Sequence, residues 1–333
     1  MAFCYKPYVT ADLYRIYESL KVFSTFSFLE FWNELVLTSS TPVARLYYYF
    51  IAKIGVPELL PAITCFIVYS CIFYIITKTA EKFSIERINI AIAVLFTMSV
   101  GNYMIVISNI RTMLAIALIC WCFFRESIEE KYHLFHLLLY LMAGLLHNLA
   151  IVLIAFRIIV FLLQKRTARK KLFLIRISSI VIFGFASLYL QGLFLEVIEK
   201  AYEYLTGDLY SYKWEYIIGA IIYFVEVWLL LKMKNNKNTN KILLNDTNNY
   251  LILCLLSATI FFFEFSIFHR LVTYIAPILA LPLLMQILNQ NDKGNNSYYH
   301  VITTRTLVTA ISLMLLFLTC FRGSICSLKF FII

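Results

Sequence analysis

Apolar runs of membrane-crossing length follow one another from Pro57 to Phe321 with only short polar stretches between them. A helix that crosses a bilayer needs about 20 mostly apolar residues. The pattern predicts spans at 58–78, 88–108, 109–124, 133–146, 148–163, 172–193, 216–231, 250–268, 270–288 and 301–321, about ten membrane helices within a range of about eight to eleven. Strand-type alternation is absent, and in lipid every backbone group must find its partner inside its own segment, which a helix achieves. The expected fold is an all-α, polytopic integral membrane protein, with residues 57–333 as one transmembrane helical domain and 1–56 as an external amino-terminal segment. In that segment Val22 to Leu37 mixes Phe23, Phe26, Phe28, Phe31 and Trp32 with polar residues, the pattern of a helix lying in the interface. The Asn- and Lys-rich stretch 232–249 reads as a solvated cytoplasmic linker.

The apolar stretch 133–163 is long for one span and short for two, and His147-Asn148 near its middle predicts a break. The positive-inside rule supports the split. Two helices there place on the cytoplasmic side the loops bearing Lys78, Lys82 and Arg87, Arg125 and Lys131, Lys165, Arg166, Arg169, Lys170 and Lys171, the Lys-rich linker, and Lys293. The loop 194–215, with Glu196, Glu199, Glu203, Asp208 and Glu215 against Lys200 and Lys213, then faces outward. The amino-terminal segment, the Ser108–Arg111 turn, the His147 corner and the Phe268–Arg270 turn share that outer side. An external amino terminus with no preceding span leads to the expectation of a missing first helix or a late start site.

Composition changes the picture only by excluding classes. A chain that is 62% hydrophobic, 17% aromatic and 14% charged, with a mean hydropathy of +0.80 over 333 residues, is too apolar for a soluble domain. The net charge of +10 follows from the cytoplasmic loops and suits contact with anionic membrane lipids, so no nucleic-acid role is assigned. The eight cysteines form no CxxC pair and no Cys/His cluster with metal spacing, and those inside apolar segments read as small hydrophobes. The first 20 residues hold no signal-peptide h-region.

Candidate chemistry sits at helix ends. Arg111 opens a helix, where a charge near hydrocarbon costs about 2.5 to 3.5 kcal/mol unless it meets water or a partner. It is either an anchor that snorkels or a guanidinium fork for phosphate, favoured by the helix amino terminus beside it. His147 is a helix-break histidine, a general base, or a proton-carrying anion ligand. Arg270 follows His269 and shares a helix face with Tyr274, a pair able to grip a phosphate or a sugar, although Tyr274 also fits the aromatic belt. Glu226 and Glu264 are carboxylates inside spans, and an intramembrane acid must face a cavity or a cation. No acidic pair for a nucleotide-sugar metal, P-loop, GxSxG or HExxH is present, so a soluble-donor glycosyltransferase, an ATPase and a serine or zinc hydrolase lack their signatures.

The runs Asn109-Ile110-Arg111-Thr112-Met113-Leu114-Ala115, Leu145-Leu146-His147-Asn148-Leu149-Ala150 and His269-Arg270-Leu271-Val272-Thr273-Tyr274 resemble, in order and spacing, elements of the EpsG-like, Wzy-type polysaccharide polymerases. Asp12-Leu13-Tyr14-Arg15-Ile16-Tyr17 resembles the external Asp and Tyr motif that follows the family's first helix. The chain departs from the pattern in lacking the Gly and Arg usually near that Asp, and in carrying Asn148-Leu149 where a small polar residue is common. The resemblance implies polymerisation of undecaprenyl-diphosphate-linked oligosaccharide repeat units into O-antigen, capsule or exopolysaccharide at the outer face of the bacterial cytoplasmic membrane. It needs no cofactor or metal, and flippase and chain-length regulator proteins are its expected partners. On this reading Arg111, Arg270, Tyr274, His269 and Asp12 bind lipid diphosphate or sugar, and His147 and Glu264 carry the proton transfer. The alternatives are a flippase or transporter of lipid-linked glycans and a membrane O-antigen ligase or O-acyltransferase.

Overall fold

A computed structural model describes residues 12–101, 103–131, 134–163, 213–235, 241–262, 265–289 and 303–317, and every regular element among them is helical. The expected span 172–193 and the loops 164–171 and 194–215 lie outside the described residues. Two helices, Leu59–Phe83 and Ile267–Leu288, are long and apolar enough to cross a bilayer, and shorter apolar helices accompany them. Large side chains such as Phe66, Leu134, Phe135 and Leu138 stand exposed, which suits contact with lipid rather than water. The chain is built as a helical membrane protein.

The amino-terminal segment is more ordered than an interfacial helix alone. Helix α1 (Asp12–Thr25) ends before Ser27, whose hydroxyl accepts from the Glu30 N–H while the Glu30 carboxylate takes the Ser27 N–H at 2.9 Å. This capping box starts α2 (Phe28–Phe31), which runs into a π-helical turn at Trp32–Val36, so the expected helix over Val22 to Leu37 is broken at Phe26-Ser27. A helix not expected there follows: α3 (Pro42–Ile54), opened by Pro42 at its first turn and closed by Gly55 at φ 78°. Leu20, Phe23, Phe31, Tyr48, Tyr49 and Ile51 pack with Leu60 and Ile110, so α1–α3 form a cap over the first turns of α4 (Leu59–Phe83) and α7 (Ile110–Ser127).

Between those helices, the span expected at 88–108 is interrupted. Helix α5 (Arg87–Val100) stops at Gly101, whose carbonyl accepts from Tyr69 at 2.9 Å, and α6 (Tyr103–Ser108) is a separate short helix. The split at His147 is present: α8 (Leu134–Leu146) ends there and α9 (Leu149–Leu163) begins two residues later. Helices α10 (Lys213–Asn235) and α11 (Lys241–Ile260) both enter the stretch read as a linker, and Thr247 within it is buried. The expected span 250–268 ends early, in a turn at Phe261–Phe262. The expected turn at Phe268–Arg270 is helical instead: α12 (Phe265–His269), a π-helical segment Arg270–Ile275 and α13 (Ala276–Leu288) continue one another. Residues 271–285 are buried throughout, which places this apolar rod at the centre of the bundle. The last described helix is α14 (Thr303–Phe317).

Side-chain ties sort the connections into two ends. At one, Lys82 donates to the Ile128 carbonyl, Tyr74 reaches Glu129 at 2.9 Å, Asn289 accepts from the Glu86 N–H at 3.0 Å and from Asn89 at 3.1 Å, and Arg305 pairs with Glu86 at 2.6 Å. These are the loops expected in the cytoplasm. At the other, the amino-terminal cap meets the start of α7, so the cap and the Ser108–Arg111 turn share one end. Single cysteines in a Cys-depleted background test the orientation: Thr38→Cys is expected to react with an impermeant maleimide in intact cells, and Glu130→Cys only after permeabilisation. The reverse pattern would invert the topology.

Candidate active site at the capped end of the bundle

Asn109 and Arg111 form the hub. Asn109 precedes α7 without capping it, and its amide instead donates to the Tyr274 hydroxyl at 3.2 Å and to the Ile105 carbonyl at 3.3 Å. Arg111, second residue of α7, is exposed, and its Nη1 donates to the Thr41 hydroxyl at 3.4 Å. The first turn of α7 thus joins the cap on one side to the central rod on the other. Positive charge at a helix start is poorly placed for the dipole, but both favour an anion bound there.

The π-helical segment supplies the facing wall. The Ala276 N–H bonds the Leu271 carbonyl, five residues back, and the wider turn carries Arg270 and Tyr274 at the mouth of an otherwise apolar rod. The His269 ring packs edge-on against Tyr274, with centroids 5.3 Å apart. Tyr274 is buried and acts as a fixed link between Asn109 and His269, whereas Arg270 and His269 are half-buried.

His147 occupies the corner between α8 and α9. Its Nδ1 accepts from the Leu149 N–H at 3.1 Å, so the ring caps α9, and its carbonyl accepts from the Ala150 N–H at 2.9 Å. With that lone pair used, the neutral ring carries its proton on Nε2, which can donate a hydrogen bond. Helices α7 and α8 are antiparallel and meet at their far ends, where the Glu126 and His136 side chains lie 3.3 Å apart. From there Arg111 is about 22 Å along α7 and His147 about 16 Å along α8, at the same end of the bundle.

Residues 14–321 match the model of the EpsG family. The chain belongs to the EpsG family. EpsG proteins are a Wzy-like family of polysaccharide polymerases, and the match covers nearly the whole chain. No curated protein and no solved structure matches this EpsG chain.

Other expected residues stand apart from the hub. Asp12 is exposed at the start of α1 and pairs with Arg15 at 3.6 Å. Glu264 lies outside the described residues. Glu226 is fully buried within α10, with neither carboxylate oxygen hydrogen-bonded among the described residues, so it does not open onto the hub. Among the described residues no group of His, Cys, Asp and Glu is arranged to hold a metal ion.

One charged cluster of this EpsG protein is marked by none of its sequence motifs. At the opposite end of the bundle Glu126 takes Nε and Nη2 of Arg157, each at 2.8 Å, and the Tyr140 hydroxyl at 3.1 Å, with His136 beside it. All four side chains are buried, and Arg157 also lies over the rings of Phe123 and Phe161. The signal was available: Arg157 interrupts the apolar run of α9 and, by the reasoning applied to Glu226, needs a partner.

Proposed function

We propose that the chain polymerises undecaprenyl-diphosphate-linked oligosaccharide repeat units at the outer face of the bacterial cytoplasmic membrane. What supports this beyond the family is the meeting of Arg111 with Thr41 and of Asn109 with Tyr274 at the end of the bundle that also carries Arg270 and His147. In the reaction the bond between the growing glycan's anomeric carbon and the lipid diphosphate breaks, and a new bond forms to a sugar hydroxyl of the next lipid-linked unit. The leaving diphosphate keeps the electron pair and the acceptor hydroxyl gives up its proton.

Arg111 and Arg270 stabilise the charge that grows on the diphosphate, where fixed donors act most strongly. His147, protonated on Nε2, donates to the same anion. Glu264 takes the acceptor's proton. A diphosphate is a good leaving group, so cationic side chains suffice to assist it.

The test is direct. Purified protein incubated with a lipid-linked repeat unit is expected to give a ladder of chain lengths. Movement of the unit between leaflets of a proteoliposome with no ladder would favour a flippase. Transfer of preformed polymer to another acceptor, again without chain growth, would favour a ligase.

A further inference from the structure

We propose that Arg45 and Tyr48 of the amino-terminal cap act with Arg111 as an oxyanion cradle for the diphosphate of a lipid-linked sugar. The inference rests on the polymerase reading and adds two residues that neither the sequence motifs nor the family match assigns.

The geometry begins at Thr41, the residue that receives Arg111. Its carbonyl accepts the Arg45 N–H at 3.2 Å, which sets Arg45 one turn further along α3, and Tyr48 follows on the same stripe. Thr41, Arg45 and Tyr48 therefore succeed one another along one side of α3, and Arg111, which bonds Thr41, lies within electrostatic reach of both Arg45 and Tyr48. Phe23 of α1 holds Arg45 in place, with the guanidinium 5.6 Å from the ring centroid. Arg45 is half-buried.

Three features mark a place built for an anion. First, among the described residues neither Arg45 nor Arg111 has a carboxylate within ion-pair distance, and Asp12 is engaged with Arg15. Two guanidinium groups close enough to feel each other repel unless something negative lies between them. Burial and then the like charge of Arg111 pull Arg45 below the ordinary arginine value.

Second, the Tyr48 hydroxyl is buried and has no hydrogen-bond partner among the described residues. A buried donor without an acceptor destabilises the fold, and one within electrostatic reach of two arginines is supplied by an anionic oxygen. Third, burial pushes the Tyr48 hydroxyl up to about 12, against the opposing pull of Arg111 and Arg45 and with smaller contributions from Tyr47 and Asp12 in the same direction, so it keeps its proton and donates at neutral pH. Two cations and one hydroxyl donor match a diphosphate, whose charge is spread over two phosphoryl groups.

The full chain in lipid nanodiscs, titrated with undecaprenyl diphosphate, tests the cradle. Arg45→Gln is expected to weaken binding about ten- to a hundredfold, as for loss of a charge-assisted hydrogen bond, and Tyr48→Phe about two- to tenfold. Because Arg45 and Arg111 grip one group, the double variant Arg45→Gln/Arg111→Gln is expected to lose less than the two single losses combined. Inorganic diphosphate is expected to displace the lipid, whereas undecaprenyl monophosphate binds more weakly and loses less in Arg45→Gln.

Wild-type affinity in both Arg45→Gln and Tyr48→Phe would overturn the cradle while leaving polymerisation standing, provided the wild-type protein still forms its ladder. A wild-type protein that makes no ladder and binds neither lipid would overturn both. Tyr48→Phe removes a single unpartnered oxygen and preserves packing, so its result stands even if Arg45→Gln folds poorly.

Discussion

Arg111→Ala is expected to abolish polymer while the protein still inserts and accumulates. The side chain is exposed, and among the described residues it makes one long hydrogen bond, at 3.4 Å to Thr41, so its removal is expected to leave the bundle intact. On the proposed mechanism it loses charge-assisted contact with the leaving diphosphate. Two such hydrogen bonds at about 1.5 to 3 kcal/mol each amount to a rate loss of about a hundredfold or more. Arg111→Lys is expected to fail largely as well, because an ammonium is a point charge and cannot reproduce the planar fork. Chain-length ladders read beside the protein level in membranes decide the matter. Polymer of normal length in Arg111→Ala would leave phosphate binding at α7 without support.

The second large effect is on folding rather than chemistry. Glu126→Ala strands Arg157 in the interior beside His136, and breaking a buried pair by removing one partner costs about 3 to 5 kcal/mol. The variant is expected to accumulate poorly and to unfold at lower temperature in detergent. Replacing both partners, as in Glu126→Leu/Arg157→Met, is expected to be milder than either single change, since no charge is left unpaired. Thermal stability of the wild type, the two single variants and the double variant side by side is the measurement, and a Glu126→Ala protein as stable as the wild type would show the pair to be dispensable.

What could be read from the sequence depended on how local its physical signal was. The break at His147-Asn148 was legible because an apolar run of that length fits neither one span nor two comfortably, and the ring then caps the following helix. The motif residues Asn109, Arg111, Arg270 and Tyr274 were legible as helix-end polar groups, and the Asn109–Tyr274 contact gives two of them one location. Helix α3 was not anticipated, although Pro42 and Gly55 mark its start and stop. It is too short to span, and hydropathy along the chain marks only segments of spanning length. The continuity through Phe268–Arg270 was illegible for the opposite reason: a His-Arg pair looks like a boundary, and only the π-helical turn and the neighbouring Tyr274 let it lie within a helix. Gly101 ended α5 where hydropathy alone carried on. Arg157 needed a partner that lay on another helix, and pairwise relations of that kind are invisible to a scan along one segment.

The π-helical segment also sets how the rod tolerates a change of length. A π-helical turn is an α-helix holding one residue too many, so the chain from Ala276 onward and the chain before Arg270 are offset by that residue. Loss of any one position from 271 to 273 would let the segment relax to ordinary α geometry without a gap in its backbone bonding. The buried rod would keep its packing, and because a π-helical turn holds its extra residue over about the same rotation as an α-helical turn, the chain before it would keep its orientation around the axis. A one-codon deletion at 271–273 is therefore expected to spare the direction of Arg270 and His269, whereas the same deletion in the regular α-helix that follows would turn everything before it by about 100°.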